Sequence, residues 1–135
     1  MAAKVLDSWA LIAFFEDEPA AGNVEKCLIQ AAEGKHTLLL SAVNWGEIYY
    51  GTMREVSQEA AEQTAREISA LPIKIVGVSD DLGLARQAAI YKATRKMSYA
   101  DCFAAALAKL EKAHLITGDP EFQQVEGEIK IDWLK

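Results

Sequence analysis

A chain of 135 residues with 51% hydrophobic and 25% charged side chains can bury a sizeable core and is too apolar to stay disordered, so one domain is expected over residues 1–135. No apolar run approaches the ~18–20 residues a spanning helix needs, and Asp7 interrupts the N-terminus before a signal-like stretch develops, which excludes a membrane or secretory reading. The net charge of −6 argues against a broadly basic nucleic-acid coat though not against a local basic rim, and Cys27 and Cys102 form no ligand pattern, as for reduced thiols in a cytoplasmic protein.

In chain order, "KVLD" reads as a short strand rich in branched apolar residues, followed by helical patterns over 8–16 and 20–32. "TLLLS" supplies a second buried strand. Two helical segments in succession, 43–56 and 57–71, predict a helical hairpin after it. "IKIVGV" is a third buried strand, and the next helix is predicted over 80–95, with Asp80 and Asp81 as first-turn acids. A helix over 99–112 leads to "HLITGD", and "IKIDWL" closes the chain. Strand–helix alternation at this spacing predicts an α/β fold: a central parallel sheet of about five strands, flanked by helices on both faces.

Four acids stand alone in apolar surroundings. Asp7 follows the first strand and is the only charge between Lys4 and Glu16. Glu47 is the sole formal charge between Lys35 and Arg54, Asp101 the sole one between Lys96 and Lys109, and Asp119 follows the fourth strand. Three have an ordinary explanation. Ser98 and Asp101 fit a capping box, while Asp7 and Asp119 suit N-caps, the latter with Pro120 at the first helical position. Glu47 lies too deep in its helix for that. Its helical neighbours Val43, Tyr50 and Gly51 offer no polar face, so its partner must come from elsewhere in the fold.

Ligands of parallel sheets gather at the carboxyl ends of the strands, where Asp7 and Asp119 lie. Four carboxylates converging there cannot all ionise without protons or cations to neutralise them. An all-oxygen set without Cys or His suits Mg²⁺ or Mn²⁺, ions that activate water and clamp a phosphodiester. Capping and ligation are compatible, because a helix start can orient a carboxylate whose outer oxygens hold metal.

The stretches "VLDSWALIAFF", "SAVNWGEIYYG", "MSYADCFAAALA" and "LITGDPEF" resemble, in order and over nearly the whole chain, the four signature blocks of PIN-domain ribonucleases, in particular the VapC-like toxins of toxin–antitoxin pairs. The resemblance implies a PIN-like three-layer fold and Mg²⁺- or Mn²⁺-dependent endonucleolytic cleavage of RNA, leaving 5′-phosphate and 3′-hydroxyl ends. It further implies a small antitoxin partner and a homodimer. By position, Asp7, Glu47, Asp101 and Asp119 match the family's acidic quartet. Asp7 and Asp101 would be the most direct metal ligands, and Glu47 would complete the shell or orient the attacking water. Asp119 would act through water or on a second ion, with Ser8 and Thr117 as supporting hydroxyls. Asn44-Trp45-Gly46 before Glu47 is bulkier than the family pattern.

Two rivals stay open at this stage: a phospho-accepting receiver-like domain, also α/β with clustered acids, and a catalytically silent PIN-like binding module. Gly46 and Gly51 have P-loop spacing, but Thr52 and Met53 stand where Lys and Ser or Thr are required. His36 and His114 belong to no ligand set and read as surface or strand-edge residues. Lys92, Arg95 and Lys96 can either bind phosphates or simply end a helix. Trp45, Tyr49, Tyr50 and Met53 exceed what one helix face buries and suggest an interface.

Overall fold

Strand β1 (Ala3–Leu6) shows how side-chain alternation assigns residues to layers. Val5 faces one apolar cluster and Leu6 the other. The computed structural model describes residues 2–135. Its remaining strands are β2 (Thr37–Ser41), β3 (Ile73–Val76), β4 (His114–Thr117) and β5 (Ile131–Trp133), all parallel and in the order β3-β2-β1-β4-β5.

One layer holds α5 (Gly83–Thr94) and the alanine-rich α6 (Tyr99–Leu110), which pack Leu84, Ala88, Tyr91, Phe103 and Leu107 against Val5, Leu39 and Leu115. The opposite layer holds α1 (Ser8–Phe15), α2 (Ala21–Ala32), α3 (Ala42–Glu55) and α4 (Gln58–Ser69). These helices bring Leu11, Val24, Leu28, Ile48 and Ile68 onto Leu6, Leu38, Leu40 and Ile116. Each fully buried leucine or valine in this set contributes about 1.5–3 kcal/mol. The small side chains of Cys102, Ala104, Ala105, Ala106 and Ala108 let α6 lie close across β1, β2 and β4. That places its N-terminus, and Asp101, at the carboxyl ends of the central strands.

The predicted hairpin is α3–α4, with the Ser57 hydroxyl accepting from the Ala60 N–H at 3.0 Å to start the second helix. Three expectations are corrected. The helix predicted from residue 80 begins at Gly83, because the Asp81 carboxylate accepts from the Ser79 hydroxyl (2.7 Å) and the Gly83 N–H (3.0 Å). Leu82 takes a left-handed φ of 64° there. Such local side-chain bonding competes with the helix, so Asp80 and Asp81 sit in a turn and not in a first helical turn. The stretch "IKIVGV" is not buried: β3 pairs only with β2, and as an edge strand it leaves Ile75 42% exposed. His36 lies inside the fold, its Nε2 3.1 Å from the Cys27 carbonyl oxygen. Half-exposed His114, by contrast, pairs with Asp132 at 3.0 Å.

Strand order decides one rivalry. Receiver domains belong to the doubly wound class ordered 2-1-3-4-5, with the first strand beside the third. Here β1 lies between β2 and β4. The receiver reading is therefore set aside. Among the described residues no helix is long and apolar enough to cross a membrane.

Candidate active site

The order reverses between β1 and β4, and at such a switch point the chain leaves a crevice outside the strand ends. Asp7 follows β1 there and caps α1, its Oδ1 accepting from the Ala10 N–H at 2.8 Å. Its Oδ2 accepts from the Thr117 hydroxyl at 2.5 Å, and the Thr117 Oγ1 in turn accepts from the Asp119 N–H at 3.0 Å. One buried hydroxyl thus ties the end of β1 to the end of β4. Asp119 also caps the short 3-10 helix Pro120–Val125, its Oδ1 accepting from the Glu121 N–H at 3.0 Å.

Glu47 receives its partner from another element, as its sequence context requires: the Ser8 hydroxyl donates to Oε1. At the start of α6 the Ser98 hydroxyl accepts from the Asp101 backbone N–H at 3.1 Å. That cap bond uses the backbone of Asp101, and its carboxylate lines the crevice. Ser8, Glu47, Asp101 and Asp119 border one cleft of about 320 Å³, together with Trp9, Ile12, Tyr50 and Gly51. Among the described residues no lysine, arginine or histidine lines it. Asp7 sits just beneath, 1% exposed. The tightest oxygen grouping joins Asp101 and Asp119 to Glu121, with ligand atoms within 4.8 Å of one another. Asp7 accepts one hydrogen bond on each carboxylate oxygen, which leaves lone pairs on both.

The electrostatics follow from crowding. Burial pushes the Asp7 carboxyl up to about 7, aided by the negative charges of Asp101 and Asp119 and opposed by hydrogen bonds from Thr117 and Ala10. Burial likewise lifts Asp101 to about 7, with repulsion from Asp119, Glu47 and Glu121 adding to it and the Ser98 hydroxyl opposing it. A cluster of this kind lacks positive charge. Its all-oxygen donors fit a hard divalent cation and offer nothing to a thiophilic one.

A tryptophan forms one wall. A Cβ at Gly118 would lie 2.3 Å from the Trp9 ring, so glycine is what lets the indole settle against the β4 exit. Gly118→Ala is expected to unseat that ring and cost about 1–3 kcal/mol in chemical denaturation. The Trp9→Ala/Gly118→Ala double variant should then lose little beyond Trp9→Ala alone. Purely additive losses would show that the contact does not matter.

Two contributors escape sequence reading. Glu121 looks like one more surface acid, and only the cap geometry after Asp119 brings it to the cluster. Asn44 reads as bulk before Glu47, yet it is fully buried and hydrogen-bonded toward the site. Of the basic residues before Asp101, Lys92 donates to the Met97 carbonyl at 2.9 Å and Arg95 pairs with Glu128, so both have structural partners. Lys96 remains exposed in the same turn.

A family model described as the PIN domain matches residues 4–128. A comparison with the curated proteins finds no match. Among solved structures the chain is similar to VapBC2 of Rickettsia felis bound to a promoter DNA fragment, with a TM-score of 0.74 at 14% identity over 98% of this chain and 99% of that one. DNA-bound VapBC of Salmonella typhimurium gives a TM-score of 0.72 at 15% identity, covering 98% of both chains. The sarcin–ricin-loop-cleaving toxin VapC20 of Mycobacterium tuberculosis gives 0.69 at 16% identity, over 90% of this chain and 94% of that one. At such identities the likeness is one of fold.

Proposed function

The chain belongs to the PIN domain family, and from that premise we propose that it is a divalent-metal-dependent endoribonuclease, the toxin of a two-protein toxin–antitoxin pair in the cytoplasm. The observation that carries this reading is the cleft at the β1/β4 switch point, lined by Glu47, Asp101 and Asp119 above buried Asp7, with no basic side chain among the described residues of its walls. A silent binding module has no use for buried, mutually repelling carboxylates, which cost stability unless a cation meets them.

Asp101, Asp119 and Glu121 would hold Mg²⁺ or Mn²⁺, with Glu47 completing the shell from the same cleft and Asp7 beneath them. Such an ion, when bound, supplies Lewis acidity toward the phosphodiester and lowers the pKa of its water. The chain's own side chains do the positioning. Thr117 and the Ala10 N–H hold Asp7 so that its charge faces the cluster from below. The Ser8 hydroxyl orients Glu47, whose remaining oxygen would be free to face the ion. Lys96, exposed beside α6, is available to a phosphate of the RNA chain.

An antitoxin needs a surface, and the early helices offer one. Tyr50, Met53 and Val56 of the α3 region are exposed, and a second cleft of about 140 Å³ between α1 and the hairpin is lined by Ile12, Phe15, Ile48 and Val56. Solved relatives include a toxin–antitoxin complex from Klebsiella pneumoniae, 20% identical with a TM-score of 0.65. A basic antitoxin side chain reaching the acidic cleft would replace metal charge. Apolar area on the same helices also suits self-association into a homodimer.

Incubating the purified protein with total cellular RNA and added Mg²⁺ or Mn²⁺ tests the enzymatic reading. Metal-dependent cuts bearing 5′-phosphates, abolished by chelation, are expected. Tight Mn²⁺ binding without cleavage of any RNA would favour the silent module.

A further inference from the structure

Asn44 sits on α3, one helical turn before Glu47, and is fully buried. Its Nδ2 donates to the Ser8 Oγ at 3.3 Å and to the Ala100 carbonyl oxygen at 3.0 Å. Ser8 adjoins Asp7 and donates to Glu47. Ala100 adjoins Asp101. One amide therefore bridges the start of α1, the body of α3 and the first turn of α6, the segments carrying three of the four acids.

Which way that amide points is settled by chemistry. The Ala100 carbonyl can only accept, so the Asn44 group facing it must be the NH₂ and not the carbonyl oxygen. Its second N–H then goes to the Ser8 Oγ. With one lone pair occupied by that donation, the Ser8 hydroxyl turns its own proton toward Glu47, which when ionised only accepts. A directed relay results, running from Asn44 through Ser8 to Glu47. Asn44 Oδ1 finds no protein donor among the described residues. Every hydrogen bond this side chain makes within the protein is thus made by donating, and a leucine keeps the branched shape, at a larger volume, while removing both donors and the unmatched acceptor.

We propose that Asn44 is a positioning residue of the acidic site: it sets the direction of the Ser8–Glu47 hydrogen bond and pins the start of α6, thereby fixing Glu47 relative to Asp101 for the cation they share. The inference rests on the metal-dependent reading above. Partners that orient metal ligands from behind are worth about 10–100-fold in metal affinity or activity when removed.

The test is Mn²⁺ titration calorimetry on the metal-free protein, with unfolding midpoints measured in parallel. Asn44→Leu is expected to lose ~10–100-fold in Mn²⁺ affinity while still unfolding in a single cooperative transition. Ser8→Ala, which leaves the Asn44 packing in place, should weaken Mn²⁺ in the same direction. The double variant should lose much less than the product of the two single losses, because both act through one relay. Wild-type affinity in Asn44→Leu, or in Ser8→Ala should the leucine variant not fold, overturns the proposal while the nuclease reading stands. Losses that multiply independently overturn it as well. A wild-type protein with no measurable Mn²⁺ affinity overturns the nuclease reading and this inference together.

Discussion

Asp101→Asn is expected to abolish metal-dependent RNA cleavage, by roughly 10³-fold or more, while leaving the metal-free protein at least as stable as wild type. The two halves of this expectation come from separate features of one residue. The helix cap at this position is made by the Ser98 hydroxyl to the Asp101 backbone N–H, a bond that asparagine keeps. What asparagine removes is a charge lying against Asp119, Glu47 and Glu121. Losing that repulsion stabilises the apo fold above neutral pH. In the loaded enzyme the same loss deprives the cation of a ligand from its tightest oxygen grouping, and about 4 kcal/mol of transition-state stabilisation corresponds to that thousandfold. Side-by-side chemical denaturation and cleavage assays check both halves. Near-wild-type Mg²⁺- or Mn²⁺-dependent cleavage by Asp101→Asn would reduce this aspartate to a cap residue and sink the site.

How far such a site can be read without coordinates depends on the kind of signal each residue carries. Asp7, Glu47, Asp101 and Asp119 are conspicuous in the sequence because each interrupts an apolar stretch where a charge is costly. The strand–helix alternation carries the parallel sheet in the same way, since each run must bury one face or both. The order of the strands leaves no comparable local trace. Placing β1 between β2 and β4, and β3 at an edge, depends on pairings between segments tens of residues apart, and only that order produces the switch point and excludes the receiver arrangement. The boundary error at Asp80 and Asp81 has a different origin. An aspartate near a helix start satisfies either the helix dipole or a local turn, and here the Ser79–Asp81–Gly83 bonds make the turn. Asn44 was illegible for a simpler reason: an uncharged polar residue on an apolar helix announces nothing until its hydrogen-bond partners are known.

Stability of the metal-free protein is expected to fall as pH rises from about 4 to 8, and added Mg²⁺ or Mn²⁺ should flatten that fall. The sign follows from Asp7 and Asp101, whose carboxyls burial lifts from 3.8 to about 7 in the folded state. Between those values the native protein holds protons that the unfolded chain has released. Their contribution is complete below 3.8, declines through the window and is gone once pH exceeds the folded value. For the fully buried Asp7 alone, about three units at 1.36 kcal/mol each amount to roughly 4 kcal/mol. Asp101 opens to the cleft and contributes less for the same displacement, because solvent screens its charge. At the other end of the sheet the sign reverses. Burial raises Asp132, but hydrogen bonds from His114 and Lys4 outweigh it and hold the carboxyl below its ordinary value. That group stabilises above 3.8 and loses its contribution as pH falls further. The two ends together place the optimum where their windows meet, near the ordinary carboxylate value of 3.8. A divalent cation replaces the bound protons with fixed positive charge, so its stabilising effect should grow with pH, following the mass-action gain of a ligand that binds only the native state. Urea denaturation across pH 4–9, with and without metal, separates the contributions. Stability that rises through pH 5–8 in the metal-free protein would mean that the carboxylates of the cleft are already neutralised from within the fold.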